Sequence, residues 1–385
     1  MEVVDLITAI ERGEDSRHQF KRSIDNNESL SAEMVAFSNG GGGQLIIGVD
    51  DDGTIIGLSS EEVMELNQRV SNAASQGVIP PINPTTNNVQ IGDLIVMVID
   101  VPRGINAPYQ DRNGVFWVKS GADKRKATSR EEIQRLFQET GLVYADETPI
   151  KGLGVPDLDI EYFEAFFLKR FGEELNSQNV SLQKVLENMN LSKEGDLNLA
   201  CALLFCKAPQ YKLPAFIVKA GSFDSNELST TNYNDSRNIE GKLADIFRET
   251  VSFIVSNLHH IQGDQGVNSI GTPEIPRESI EELVSNALIH RDYFVSSSIR
   301  VFVFRNRVEI ISPGHLPNSL TVENIKAGNS NARNPLLASY ANHLLPYRGY
   351  GSGIIRALSK YPDIEFIDDR EGNLFTAIIK RKSDL

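Results

Sequence analysis

One stretch of the sequence, residues 277–293 (RESIEELVSNALIHRDY), constrains the fold and the chemistry of this chain most strongly. Its apolar residues recur at the i, i+3, i+4, i+7 spacing of a helix buried along one side, so we predict a helix here. The residues on that side are Ile280, Leu283, Val284, Ala287 and Leu288. The opposite side carries Glu282, Asn286 and His290. The pattern therefore aligns a carboxylate, a carboxamide and an imidazole along successive helical turns.

The polar side of this helix has two interpretations. Polar residues opposite an apolar side commonly form a solvent-exposed surface with no further role. Alternatively, these polar side chains form part of a catalytic or metal-binding site, because a carboxylate can accept a proton from water and a carboxamide oxygen suits Mg²⁺.

Two turns further along the chain favour the chemical interpretation. The strand-like run VEII at 308–311 is followed by SPG at 312–314, and a glycine-rich turn, RGYGSGI at 348–354, leads into an apolar helical segment. A glycine-rich turn that opens a helix exposes backbone N–H groups at the positive end of the helix dipole. Such a turn is suited to binding a phosphate.

Together these motifs resemble the ATP-binding fold of gyrase, MutL and the histidine kinases, the GHKL superfamily. The NALIHRDY wording, with SPG at 312–314 and ARNP at 332–335, is similar to a variant ATPase domain of bacterial and archaeal proteins often labelled RecG-related or transcriptional regulators. This resemblance implies a C-terminal α/β sandwich that binds ATP with Mg²⁺. It also implies homo-oligomers, as dimers or larger, because ATPases of this superfamily commonly work as dimers.

The resemblance also implies roles for individual residues. Glu282 would be the general base for the attacking water, and Asn286 would hold both Mg²⁺ and the nucleotide. The remaining candidates for contact with the nucleotide are Gly349, Gly351 and Gly353 at the phosphates, with His290, Ser312, Gly314 and Arg333 around them. Ser312 lies near the position where the wider superfamily has an aspartate that binds the adenine amino group, so adenine selectivity is not implied.

The first part of the chain has the pattern of an α/β domain, with a helical segment at 29–37, a glycine turn and a buried strand at 44–49. The motifs FK at 20–21, SNGG at 38–41, LIIGVD at 45–50 and VKSG at 118–121 resemble the AlbA-like Schlafen domain. The similarity covers most of residues 12–137 and implies binding of DNA or RNA.

A local excess of positive charge lies between residues 103 and 135. The net charge of −14 opposes non-specific binding of nucleic acid, so such binding needs a local basic patch. The candidate nucleic-acid contacts are Lys119, Lys124, Arg125 and Lys126. Alternatively, these lysines and arginines only keep a surface of strands and turns soluble.

Some Schlafen proteins are RNA nucleases that use a small cluster of carboxylates. Here Gln19 stands where the family commonly has a glutamate before Phe-Lys, and an amide supplies no negative charge for a metal-dependent nuclease. Glu14 and Asp50 remain as possible acidic partners. We therefore rank nuclease activity below binding.

The length of 385 residues allows two or three domains. We predict an α/β (α+β) chain with an AlbA-like Schlafen domain at 1–140, a connecting scaffold at 141–262 and a GHKL-type ATP-binding domain at 263–385. No apolar run is long enough to span a bilayer, and the N-terminus lacks a basic segment followed by an apolar one. We therefore expect a cytoplasmic protein with no membrane contact.

Three classes of function remain. The first is an ATP-binding, slowly hydrolysing regulatory protein associated with nucleic acid, in which the nucleotide controls conformation or assembly. The second is a metal-dependent nuclease of the Schlafen type. The third is a non-catalytic interaction protein whose ATP site has decayed. The presence of Glu282, Asn286 and the glycine turn together favours the first.

Overall fold

The computed structural model describes residues 2–228, 233–262, 271–317, 320–347, 349 and 351–381, apart from the side chains of Glu131 and Glu139. The chain divides into two compact units, Met1–Val143 and Tyr144–Leu385. Both units combine helices with sheets, so the predicted α+β class is confirmed.

The first unit is built on a four-stranded sheet with helices on both faces. Its described α-helices are α1 (Val3–Arg12), α2 (Asn27–Asn39), α3 (Ser60–Asn72) and α4 (Arg130–Glu139). Its described strands are β1 (His18–Lys21), β2 (Gly43–Ile47), β3 (Val78–Ile79), β4 (Thr85–Ile91), β5 (Leu94–Val101), β6 (Gln110–Asp111), β7 (Trp117–Ser120) and β8 (Asp123–Lys126).

The sheet of the first unit has the strand order β1-β2-β5-β4. Side chains of β5 alternate between its faces: Val96 and Val98 pack toward α1, whereas Met97 and Ile99 pack toward α2 and α3. Because both faces are covered, the strand is apolar at consecutive positions. Strands β7 and β8 form a separate hairpin.

The second unit is built on a six-stranded mixed sheet. Its described α-helices are α5 (Ile160–Phe171), α6 (Leu182–Asn188), α7 (Leu199–Phe205), α8 (Leu243–Ser256), α9 (Arg277–His290), α10 (Val322–Lys326), α11 (Pro335–Leu344) and α12 (Gly353–Lys360). Its described strands are β9 (Ser192–Lys193), β10 (Asp196–Leu197), β11 (Val218–Ser222), β12 (Asp235–Ile239), β13 (His260–Ile261), β14 (Thr272–Pro273), β15 (Ile299–Val303), β16 (Arg307–Pro313), β17 (Ile364–Asp369) and β18 (Leu374–Lys380).

The six strands follow the order β12-β11-β15-β16-β18-β17. Only the β11–β15 pair is parallel, and the other neighbours in this sheet are antiparallel. Helix α8 packs on β11 and β12, α9 packs on β16, and α9 also contacts α8 and α12. The sheet and this helical layer enclose the main core.

This sheet changes the predicted division of the chain. Strands β11 and β12 come from the segment predicted to be a connecting scaffold, yet they form one edge of the sheet that β15–β18 complete. The predicted boundary between residues 262 and 263 therefore falls inside one compact unit. Pairing of strands that are far apart in sequence produces this continuity, and local sequence patterns do not reveal such pairing.

Candidate functional site

The centre of the candidate site is helix α9, which is buried on more than one side. Its apolar side packs in the core, as predicted, with Ile280 and Leu283 at 0% and 3% exposure. On the opposite side, the alternative interpretation of a solvent-exposed surface does not hold at Glu282, whose exposure is only 7% because α12 packs there. A buried carboxylate needs hydrogen-bond or charge partners, and Glu282 has both.

Each oxygen of the Glu282 carboxylate has a partner. Oε1 accepts a hydrogen bond of 2.9 Å from Nδ2 of Asn286, and Oε2 lies 2.8 Å from the Arg356 guanidinium. Nδ2 of Asn286 also donates to the main-chain oxygen of Glu282 at 2.8 Å. These bonds occupy the amide nitrogen and leave Oδ1 of Asn286 as the atom suited to a cation.

The glycine-rich turn approaches Glu282 so closely that side chains would not fit. A Cβ atom at Gly353 would lie 1.6 Å from Oε1 of Glu282, and one at Gly351 would lie 2.1 Å from the main-chain oxygen of Gly328. Gly349 and Gly351 have φ of +71° and +70°, in the left-handed region that favours glycine. The glycines therefore allow the turn to pack directly against Glu282 and the backbone at Gly328. Arg348 and Tyr350, in the same predicted turn, lie outside the described residues.

These elements surround a pocket with about 1000 Å³ of empty space, part of which is open to solvent. Every predicted residue of the nucleotide site except Arg333 lines it: Glu282, Asn286, His290, Ser312, Gly314, Gly349, Gly351 and Gly353. Apolar side chains, including Ile310, Leu316, Phe366 and Phe375, line it as well. An apolar wall with a few convergent polar groups is typical of small-molecule sites.

Arg333 lies behind the pocket wall. Its Nη2 donates to the main-chain oxygen of His315 at 2.8 Å. Its Nη1 lies so close to Gly314 that a Cβ atom added there would be only 2.2 Å away. Gly314 also has a φ of +101°, in the region that favours glycine. Arg333 therefore supports the turn after β16, and direct contact with a ligand would need a different side-chain position.

His290 and Ser312 hold the pocket wall together. Nε2 of His290 lies 3.1 Å from the hydroxyl of Tyr347. Burial, and secondarily the charge of Arg333, lowers the pKa of His290 to about 4, so the imidazole is neutral at pH 7. The Ser312 hydroxyl donates to the main-chain oxygen of Ala287 at 3.2 Å and thereby joins β16 to α9. Neither side chain supplies a positive charge to a phosphate.

Sequence reasoning missed several residues of this site, and two of them, Arg356 and Tyr347, are polar side chains that contact predicted residues. Arg356 lies one turn after Gly353 on α12, and Tyr347 precedes the glycine-rich turn. The signal for Arg356 was present in the sequence, since a residue three positions after the first residue of a helix lies on the same side of that helix.

In the first unit, the predicted basic patch is only partly a surface. The Lys119 and Lys124 side chains are 7% and 21% exposed, and Nζ of Lys124 lies 2.7 Å from Oε1 of the buried Glu33. Nζ of Lys119 donates to Oε1 of Gln19 at 2.8 Å, and burial lowers the pKa of Lys119. Both lysines therefore take part in an internal polar cluster.

The other two residues of the patch, Arg125 and Lys126, are exposed. Arg125 pairs with Glu132 at 2.6 Å, and the Lys126 ammonium lies 5.3 Å from the centre of the Trp117 ring. The charge that this region presents to solvent is thus smaller than its composition predicts.

The region expected to hold nuclease carboxylates is occupied by hydrogen bonds of the chain itself. Gln19 is 3% exposed, and its Nε2 donates to Oε1 of Glu14 at 2.8 Å. Asp50 forms a separate ion pair of 3.7 Å with Arg22. Within the described residues, no cluster of three or more His, Cys, Asp or Glu side chains is placed to bind a metal ion.

Comparison with known families assigns both ends of the chain. Residues 14–128 match the family described as "Schlafen, AlbA_2", and residues 296–372 match the family described as "Putative ATP-dependent DNA helicase recG C-terminal", of the HATPase_c_4 type. The chain therefore combines a Schlafen AlbA_2 domain with a RecG C-terminal-like ATPase domain. The predicted resemblance is confirmed at both ends. The second match includes the glycine-rich turn and begins after α9.

The solved structures that are similar to this chain include two of low sequence identity. The DIP2311 protein of Corynebacterium diphtheriae is 19% identical, with 98% of this chain and 80% of that chain covered and a TM-score of 0.46. The N-terminal domain of a "Putative ATP-dependent DNA Helicase RecG-related Protein" from Nitrosomonas europaea is 22% identical. The second alignment covers 34% of this chain and 96% of that chain, with a TM-score of 0.24. No curated protein matches the chain.

The Schlafen AlbA_2 and RecG C-terminal-like domains indicate a nucleic-acid-associated protein of ATPase type. The RecG C-terminal-like domain in particular indicates nucleotide binding. In the described ranges, each helix is too short or too polar to cross a lipid bilayer.

Proposed function

We propose that the pocket beside α9 binds ATP with Mg²⁺ and hydrolyses it slowly. The observation that carries this proposal is the convergence of Glu282, Asn286 and the glycine-rich turn on one pocket. A glycine-rich turn at the start of α12 and an amide oxygen suited to a cation fit a metal-bound phosphate.

Each residue has a distinct role in this proposal. Asn286 holds Mg²⁺ through Oδ1, and the backbone of Gly351 and Gly353 contacts the phosphates. Glu282 accepts a proton from the attacking water. When bound, Mg²⁺ neutralises charge on the phosphate oxygens and orients them. Apolar side chains such as Phe366 and Phe375 enclose the base, and the site has no carboxylate at Ser312 to select adenine.

We also propose that the nucleotide controls conformation or assembly, with nucleic acid bound through the Schlafen AlbA_2 domain. One observation supports a conformational role: residues of β16, the turn after it and the glycine-rich turn all line one pocket. A ligand there would contact segments that are separate in sequence and would stabilise one arrangement of them. Exposed Arg125 and Lys126 are the proposed nucleic-acid contacts, and a homo-oligomer is the proposed assembly.

The nuclease alternative has weaker support. Gln19 replaces a carboxylate and is already hydrogen-bonded to Glu14 and Lys119. A decayed ATP site has little physical reason to keep a buried carboxylate and a glycine-rich turn in direct contact.

The test is calorimetric titration of ATP, ADP and GTP, each with Mg²⁺, into the wild type, Asn286→Ala and Glu282→Gln, with phosphate release measured alongside. We expect Asn286→Ala to weaken binding of Mg²⁺–ATP, because a metal ligand is removed. We expect Glu282→Gln to bind ATP and lose turnover, because an amide cannot accept the proton.

Glu281→Gln, on the same helix and paired with Arg277 away from the pocket, is the matched control and should match the wild type. A wild type that binds none of the three nucleotides would contradict the proposal and direct attention to the Schlafen AlbA_2 domain.

A further inference from the structure

We propose that Arg356 is the residue that binds the terminal phosphate of a nucleoside triphosphate, and that it does so by leaving Glu282. This inference rests on the proposed function of the pocket. It adds that the general base, Glu282, is released from the Arg356 guanidinium only when a triphosphate is bound. It concerns a residue that neither the sequence pattern nor the family matches had assigned a role.

The ion pair between Arg356 and Glu282 has an asymmetric environment. The Glu282 side chain is 7% exposed and belongs to the buried helix α9, whereas the Arg356 side chain is 40% exposed on α12. Glu282 is thus fixed, and Arg356 can move into the pocket that both residues line. Another guanidinium nitrogen, Nη1, donates a hydrogen bond of 3.1 Å to the Ser352 hydroxyl, which water or phosphate can replace.

The position of Arg356 relative to the glycine-rich turn fits a phosphate ligand. Among the described residues that line the pocket, Arg356 is the only arginine or lysine. It lies in the first turn of α12, directly after the glycines that would contact the phosphates. A guanidinium forms two parallel hydrogen bonds with a phosphate more readily than a lysine does, so the terminal phosphate can compete with the Glu282 carboxylate.

The exchange would change what Glu282 can do. While Oε2 is bound to Arg356 and Oε1 to Asn286, each oxygen already accepts a hydrogen bond, and the positive guanidinium disfavours transfer of a water proton to Oε2. Transfer of Arg356 to the terminal phosphate frees Oε2. Glu282 then accepts a proton from the attacking water as the water oxygen forms a bond to the terminal phosphorus. The bond from that phosphorus to the bridging oxygen breaks, and its electron pair leaves with the diphosphate. ADP lacks the terminal group and leaves the ion pair intact.

The proposal predicts a specific pattern of affinities for ATP and ADP. We expect isothermal titration of ATP and ADP, each with Mg²⁺, to show that Arg356→Gln weakens ATP binding by about 10- to 100-fold. This is the effect of removing a charge-assisted hydrogen bond. The affinity for ADP should stay within about twofold of the wild-type value. Glu282→Gln should tighten ATP binding by about tenfold without changing ADP binding, because Arg356 no longer has to leave a charged partner.

The double variant Glu282→Gln/Arg356→Gln should not show the tighter binding seen in Glu282→Gln, since that effect acts through Arg356. This variant also covers the case in which Arg356→Gln alone fails to fold, because it leaves no unpaired buried carboxylate. Arg277→Gln is the matched control, since its guanidinium pairs with Glu281 outside the pocket, and it should change neither affinity.

The possible failures are distinct. If the wild type binds ATP and ADP but the ratio of their affinities is the same in Glu282→Gln and in the double variant, Arg356 does not bind the terminal phosphate and this inference is overturned. An unchanged ATP affinity in Glu282→Gln would overturn the exchange of partners. Absence of binding of either nucleotide to the wild type would overturn the proposed function as well.

Discussion

Oδ2 of Asp146 lies 2.7 Å from the main-chain nitrogen of Leu337, although the two residues are 191 positions apart. Leu337 is the third residue of α11, and Asn334, before the helix, makes no capping bond to it. Asp146 therefore supplies the acceptor that a residue just before the helix commonly provides. The bond joins the start of the second unit to the helix that precedes Tyr347.

Asp146 should give the protein a specific dependence of stability on pH. Burial raises the pKa of Asp146 to about 6, above its value in the unfolded chain, despite the hydrogen bond from Leu337. The folded state then binds the proton more tightly, so this contribution to stability is complete below about pH 4 and is lost as pH rises through about 6. The size is about 2–3 kcal/mol.

Denaturant unfolding of the wild type and Asp146→Asn between pH 4 and pH 7 measures this effect. The difference in unfolding free energy should move in favour of the wild type as pH falls. Comparison with a variant is needed because His290, with a pKa lowered to about 4, changes stability in the opposite direction between pH 6.5 and 4. The exposed Asp363→Asn is the control, and a flat difference for Asp146→Asn would refute the assignment.

Gly353→Ala should destabilise the second unit by about 1–3 kcal/mol, the typical cost of overpacking, because a Cβ atom would overlap Oε1 of Glu282. An alanine would otherwise favour α12 by up to about 1 kcal/mol. Gly154→Ala is the matched control, because a Cβ atom there would meet its nearest neighbour at an ordinary 3.6 Å. Equal unfolding midpoints for the two variants would show that the close approach is absent.

Lys124→Ala should lower the stability of the first unit by about 1–3 kcal/mol, since it removes the closer of the two lysines paired with buried Glu33. Arg125→Ala, whose side chain is 52% exposed, should cost no more than about 1 kcal/mol. Thermal unfolding of both variants checks the difference. Equal destabilisation would mean that Lys124 is a surface residue like its neighbour.

Binding of nucleic acid through the first unit should depend on Arg125 and Lys126. Replacing both with alanine should weaken binding to all sequences alike and reduce the slope of log affinity against log salt by about two, one for each phosphate that the variant no longer neutralises. Binding to a labelled oligonucleotide at several salt concentrations measures this slope. An unchanged slope would exclude this surface and leave other basic residues as candidates.

Arg381→Ala should destabilise the second unit by about 3–5 kcal/mol. The Arg381 and Glu274 side chains are 6% and 0% exposed and 2.7 Å apart, so the variant leaves a buried charge without its partner. Arg370→Ala breaks a pair with Asp368 in which the arginine is 51% exposed, and should cost about 0–1 kcal/mol. Replacing both Glu274 and Arg381 with apolar residues should restore most of the stability, and failure to do so would contradict this explanation.

Local patterns in the sequence predicted the elements that carry the site. The spacing of Leu283, Val284 and Ala287 predicted α9 and placed Glu282 and Asn286 on one side of it, and the glycines predicted the turn before α12. These features depend on helical period and on backbone conformations that favour glycine, which are properties of neighbouring residues. For the same reason the sequence determined the α+β class. The two domain families came instead from resemblance of whole motifs to known families, which the matches at 14–128 and 296–372 confirm.

The tertiary structure decided which charges are available. Composition predicted four basic contacts for nucleic acid, but Lys124 bonds to Glu33, 91 positions away, and Lys119 bonds to Gln19, 100 positions away. The pairing of Glu282 with Arg356 and the joining of β11 to β15 likewise link residues that are distant in sequence. Partners of this kind are set by packing of the whole unit, because a buried charge is stable only beside a group that the fold brings to it.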